Sequence, residues 1–362
     1  MPQDRSAHID SLRAVAALLV VWIHGSELFA PLAGGSAWHD IALRYDFGRI
    51  GVVAFFGVSG LLIASSLRDD RPDPGRAFLI RRFFRLFPAY WLSVPLGVLF
   101  IWTLFGKTIG AGDVALNLTM IPDLLKARPV MGSYWTLEYE LGFYILCLAL
   151  FKAGLLHRRY TAAVATGVFL SLYVAGFAAL VVLHRQAPGD WGEVAINFGA
   201  LFLGALWRRR LDGQLGRSEN LVLAAALALF WVATPAACAY AIFGLGSSNA
   251  FFVRFPVSYA AGVALFIAMT SIAKVRWRPL AWVGLVSYSL YLLHPVALYG
   301  MTYVLRRWGL GSALPVGVLM LIGAALSIAL AALAFYAVEK PAIDLGHRLT
   351  RRSRTPQPVA AC

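Results

Sequence analysis

An arginine and a histidine, Arg13 and His24, stand eleven residues apart in a largely apolar run near the N-terminus, HIDSLRAVAALLVVWIHGSELF. In an α-helix eleven steps return to within about 20° of the same face and rise about 16 Å, half the thickness of a bilayer core. One stripe would then carry a cation near one membrane surface and an imidazole deeper, toward the other. A charged side chain at mid-membrane costs about 2.5–3.5 kcal/mol. Histidine escapes most of that by staying neutral, and a neutral imidazole is what a general base requires. The plainer reading is that His24 hydrogen-bonds a neighbouring helix.

Three further clusters could take part. In IRRFFRLFP (80–88), Arg82 and Arg85 share a helix face, and their planar donor forks suit phosphate; an inner anchor before a helix starting near Pro88 is the bland alternative. In SYWTLEYELGFY (133–144), Trp135 suits a membrane interface, and Thr136, Glu140 and Tyr144 recur every fourth residue along one face. Glu140 lies about 7.5 Å inward of Trp135 and could orient His24 or take a proton itself, whereas Glu138 suits outer water. SYSLYLLHP (287–295) sets Ser287, Tyr291 and His294 on a second polar stripe, where interhelical bonding competes with a direct role. Glu339, in VEKP, reads as a rim residue paired with a loop arginine. Gly57, Ser59 and Gly60, in FFGVSG, read as a close helix contact.

What must position these residues is a set of membrane helices. The chain has 362 residues, 60% hydrophobic and only 14% charged, well below the charged share of a soluble domain. Ten runs are long or apolar enough to be candidate spans: 11–30, 48–66, 87–105, 136–152, 161–183, 194–207, 221–243, 251–273, 280–303 and 313–338. The sixth is short, and must tilt, thin the bilayer or extend into its flanks. With the N-terminus inside, 23 of the 32 Lys and Arg fall on the inner side, so both termini are expected in the cytoplasm. The fold expected is all-α, a polytopic bundle, with a membrane domain at 1–345 and a basic, disordered tail at 346–362. The longest inner loop is expected at Arg68–Arg85 and the longest outer one at Gly106–Tyr134. The net charge of +14 fits loops beside anionic lipid, and no basic module interleaved with aromatics points to nucleic acid. Three cysteines offer no disulfide framework and no metal cluster. The first run lacks a clear cleavage site and reads as a retained helix.

Taken in order, these motifs resemble the acyltransferase-3 family of integral membrane O-acyltransferases. Arg13 and His24 match its Arg-x10-His motif, FFGVSGLLI its second-helix signature, Arg82 and Arg85 its R-x-x-R segment, and Glu140 the glutamate of WSL-x-x-E. SYSLYLLH and VEKP also fit. Glu138 and Leu141–Gly142 depart from the family's usual residues. The resemblance spans nearly the whole chain. It implies O-acyl transfer, acetyl by default, from cytoplasmic acyl-CoA as co-substrate, with no bound cofactor, to a carbohydrate or glycoconjugate hydroxyl at a bacterial inner membrane. It also implies His24 as base or acyl carrier, Glu140 beside it as a catalytic carboxylate, and Arg13, Arg82, Arg85, Trp135, Tyr291 and His294 around the substrates. Some members carry an added hydrolase domain. This sequence ends about two dozen residues after its tenth run, so none is expected here. A secondary transporter of a sugar, lipid or acyl intermediate is the alternative, weakened by the lack of an internal repeat; a non-catalytic sensor or scaffold is another. Acceptor, acyl chain and oligomeric state are not legible.

Overall fold

The computed structural model describes residues 7–34, 37–67, 73–182, 190–244, 246, 248 and 250–350. Every regular element among them is helical: α1 (Ala7–Phe29), α2 (Ala37–Tyr45), α3 (Phe47–Ser66), α4 (Pro74–Gly97), α5 (Ala111–Asn117), α6 (Trp135–Lys152), α7 (Thr161–Val182), α8 (Asp190–Leu211), α9 (Arg217–Ala228), α10 (Thr234–Phe243), α11 (Phe251–Ile267), α12 (Arg278–Leu285), α13 (Ser287–Arg307), α14 (Val316–Ala334) and α15 (Lys340–Leu349). Four single π-turns extend or join six of them, at Val98–Trp102, Leu229–Ala233, Ala268–Ile272 and Phe335–Glu339. The first two adjoin Pro95 and Pro235, each of which removes a backbone donor and widens the ladder.

Among the described residues six helices are long and apolar enough to cross a membrane, and a seventh counts if the bent pair α12–α13 is one span. Helices α3, α6 and α8 coincide with three expected spans but fall short of that standard: the apolar stretch of α3, Phe47–Ile63, is too short, α6 carries Glu138, Glu140 and Lys152, and α8 carries five ionisable residues. The bundle is an all-α membrane fold. Its outer faces expose large aliphatics such as Val168, Leu221, Val232 and Leu333, which lipid tolerates and water would not.

Helix α1 packs against α3, α12, α13 and α14, and α3 crosses α8. The α3–α8 crossing depends on glycine. A Cβ at Gly60 would collide with the Leu201 carbonyl, and one at Gly204 with the Gly57 carbonyl, so FFGVSG marks backbone-to-backbone contact, as expected.

Three expectations change. The third span does not begin at Pro88: α4 starts at Pro74, capped by the Asp73 carboxylate on the Arg76 amide at 3.0 Å, and runs through Pro88 and Pro95. Most of the expected inner loop is therefore helix, with 68–72 outside the described residues. The cap and the proline at the first helical position fix that start. The ninth span is not straight but bends by 76° between α12 and α13, where a Cβ at Gly284 would strike the Asp10 carbonyl. The sixth extends into both flanks. The 106–134 connection is built rather than slack. The buried Asn117 amide donates to the Asp113 and Arg128 carbonyls at 2.8 and 2.9 Å and accepts from the Val130 amide at 2.9 Å. Glu138, expected to face outer water, accepts from the Asp123 and Leu124 amides of that connection. Residues 351–362 of the expected tail lie outside the described residues.

Candidate active site

Helices α1, α3, α4, α6 and α13 enclose a cavity of about 90 Å³. Its wall includes Arg13, Ser59, Arg82, Arg85, Thr136, Glu140, Tyr144, Ser287 and Tyr291. The sequence-predicted faces are thus real: Arg82 and Arg85 point into one space, as do Thr136, Glu140 and Tyr144, and Ser287 with Tyr291.

The three arginines do different things. Arg82 donates from Nη1 to the Tyr144 hydroxyl at 3.0 Å and from Nη2 to Ser66 Oγ at 2.9 Å, and its guanidinium lies 4.3 Å from the Tyr144 ring centroid. That fork is occupied by the protein. Arg85 has no hydrogen-bond partner among the described residues. Arg13 approaches only Asp10, at 3.8 Å, and feels the charges of Glu140 and Glu339 from farther off. Two largely unengaged guanidinium groups therefore face a cavity whose wall mixes apolar side chains with hydroxyls and the Glu140 carboxylate, and they favour an anion or a strongly polarised oxygen on their side of it.

Glu140 does not meet His24, contrary to expectation. Its Oε1 accepts from the Tyr144 hydroxyl and, at 3.3 Å, from Ser59 Oγ. The carboxylate beside His24 is Glu27, whose Oε2 lies 3.0 Å from His24 Nδ1. Glu27 is three residues on along α1, and that spacing alone sets the two side chains together. The signal was present in HGSE but was outweighed by the motif glutamate.

His24 also stacks on His294, with centroids 5.3 Å apart and planes at 23°. His294 is fully buried. Its Nδ1 lies 2.8 Å from the Tyr291 carbonyl, and its Nε2 has no partner among the described residues. Tyr291 adjoins the His294 ring at 6.0 Å and exchanges a 2.7 Å hydrogen bond with Thr136 on the cavity wall. Contacts therefore run from the arginine cavity through Tyr291 and His294 to His24, although neither histidine lines the cavity. Trp135 is not on its wall either; it packs edge-to-face on Tyr139 at 5.7 Å. Glu339, expected to pair with a loop arginine, is 2% exposed and instead accepts from Ser289 Oγ at 2.6 Å. Ser287, expected on that polar stripe, has a fully buried Oγ on the cavity wall with no partner among the described residues. Among those residues no three His, Cys, Asp or Glu side chains are grouped to hold a metal ion.

The acyltransferase-3 family model, described as an acyltransferase domain, matches residues 6–336. The chain is 27% identical to a putative membrane-bound transacylase, BcsY, of Komagataeibacter xylinus over 100% of this chain and 90% of that protein. It is 28% identical to the exopolysaccharide production protein ExoZ of Rhizobium meliloti over 84% and 92% of the two chains. It is 26% identical to a putative peptidoglycan O-acetyltransferase, YrhL, of Bacillus subtilis over 94% of this chain and 55% of that one. No solved structure matches. Between transport and transfer chemistry, the comparison decides for transfer: the chain belongs to the acyltransferase-3 family and is an integral membrane acyltransferase.

Proposed function

We propose that this protein moves an acyl group, acetyl by default, from acyl-CoA on the cytoplasmic side to a hydroxyl of a carbohydrate or glycoconjugate, with both its termini in the cytoplasm. The observation that carries the reading is the His24–Glu27 pair. A carboxylate can only accept, so the 3.0 Å contact makes Nδ1 of a neutral His24 the donor and leaves Nε2 as the basic nitrogen. That is the arrangement of an oriented general base. It stands five residues from the end of α1, where an acceptor from outside can reach it. The half-exposed ring keeps it open to such a substrate.

In this reading the thioester occupies the arginine cavity and extends past Tyr291 toward the imidazole pair. His24 Nε2 takes the acceptor's hydroxyl proton as its oxygen attacks the thioester carbonyl. The tetrahedral oxyanion collapses, the carbon–sulfur bond breaks, and the departing thiolate takes up the proton. In the alternative order, His24 first carries the acyl group, and the acceptor then displaces it. Surface polysaccharide or peptidoglycan is the favoured acceptor class, by analogy with the names of ExoZ and YrhL.

The test is acyl transfer by purified protein, from labelled acyl-CoA to glycan extracted from its own host. His24→Ala should abolish transfer, and Glu27→Gln should lower it in part. Rapid quenching separates the two orders, since only the second leaves label on the protein. Undiminished transfer by a folded His24→Ala protein would overturn the reading.

A further inference from the structure

A second cavity, of about 530 Å³, opens between α1, α3, α8 and the non-helical connection at 273–277. It is the size of a small-molecule site. It shares Arg13 and Leu62 with the arginine cavity, so Arg13 stands on the wall of both spaces.

Its charges are unevenly used. Arg208 is held by Asp212 at 2.7 Å, and Arg13 leans on Asp10. Lys274 and Arg276, both exposed, have no anionic partner among the described residues. His8, on the same wall, has a buried Nδ1 without a partner. A basic connection beside a membrane is ordinary. Here, however, the unpaired cations line a concavity of ligand size that shares Arg13 and Leu62 with the cavity assigned to the thioester.

We propose that this second cavity binds the phosphate-bearing nucleotide end of the acyl donor, with Lys274 and Arg276 as phosphate ligands, and that the donor's arm passes over Arg13 into the arginine cavity. The inference rests on the acyl-CoA reading above. It also reassigns Arg82, whose two terminal nitrogens are engaged by Tyr144 and Ser66, from phosphate ligand to positioning residue.

The same chemistry would suit an anionic lipid headgroup, and the experiment separates the two. Binding of coenzyme A and of dephospho-coenzyme A, which lacks the 3′-phosphate, is measured by calorimetry on the purified full chain and on a Lys274→Gln/Arg276→Gln variant. The exposed sites leave folding intact, which a melting curve verifies. Wild type should prefer coenzyme A by about ten-fold, the value of a charge-assisted contact or two at a partly exposed site, and the variant should lose most of that preference. A variant that keeps the preference overturns the proposal. If that variant also loses phosphatidylglycerol retained in nanodiscs, the cavity is a headgroup site instead. Wild type that binds neither nucleotide, yet transfers acyl groups from another donor, would sink the acyl-CoA reading itself.

Discussion

Tyr144 ties two charged groups together, and Tyr144→Phe should untie them. Its hydroxyl accepts from Arg82 at 3.0 Å and donates to Glu140. The side chain is buried, so water cannot freely replace the lost partner. Each hydrogen bond to a charged group is worth about 1.5–3 kcal/mol. Arg82 keeps Ser66 and the aromatic ring, and Glu140 keeps Ser59, so neither is stranded. A net cost of about 2–4 kcal/mol follows. Freed of its tether, Glu140 drifts, and an ångström of drift in a positioned group costs up to about 100-fold in rate. The assay is a cycle of Tyr144→Phe, Glu140→Gln and the double variant, read both as thermal inactivation in detergent and as kcat for acyl transfer. Because both changes act on one hydrogen bond, the glutamine keeping only a neutral acceptor for it, their effects should fall short of additive by more than about 1 kcal/mol. Additivity within about 0.5 kcal/mol, the behaviour of independent sites, would refute the proposed linkage.

Arg82→Lys should lower thermal stability, because one ammonium cannot serve Tyr144 and Ser66 with the same fork, whereas Arg85→Lys should leave melting nearly unchanged and raise KM for the acyl donor; melting curves and steady-state kinetics tell them apart. Gly60→Ala should prevent accumulation of folded protein, as its Cβ would overlap the Leu201 carbonyl, while Gly112→Ala, with open space around it, should be silent in size-exclusion profiles of detergent extracts. Asn117→Ala removes three buried hydrogen bonds from the 106–134 connection and should cost about 2–4 kcal/mol locally, seen as faster proteolytic cleavage there with little change in the bundle core.

Much of this protein was written in one dimension. Long apolar runs dictate helices in lipid, because every backbone amide there must be satisfied within its own segment. Local periodicity likewise set Arg82 beside Arg85, and Thr136 beside Glu140 and Tyr144, since residues three or four apart on a helix must share a face. The order of motifs carried the family. What sequence spacing could not determine is which helix meets which. Spacing was enough to set Glu27 beside His24 on their own helix, but not to show that Glu140, bound by Tyr144 and Ser59, serves a different space. Stacking of His294 on His24 joins residues 270 positions apart. The α12–α13 bend, the burial of Glu339 on Ser289 and the place of Arg13 on the walls of two cavities all depend on how the helices cross. Crossing is decided by close contacts such as Gly60 on Leu201 and Gly284 on Asp10. Those contacts are properties of pairs of surfaces, and a single run of sequence specifies only one surface of each pair.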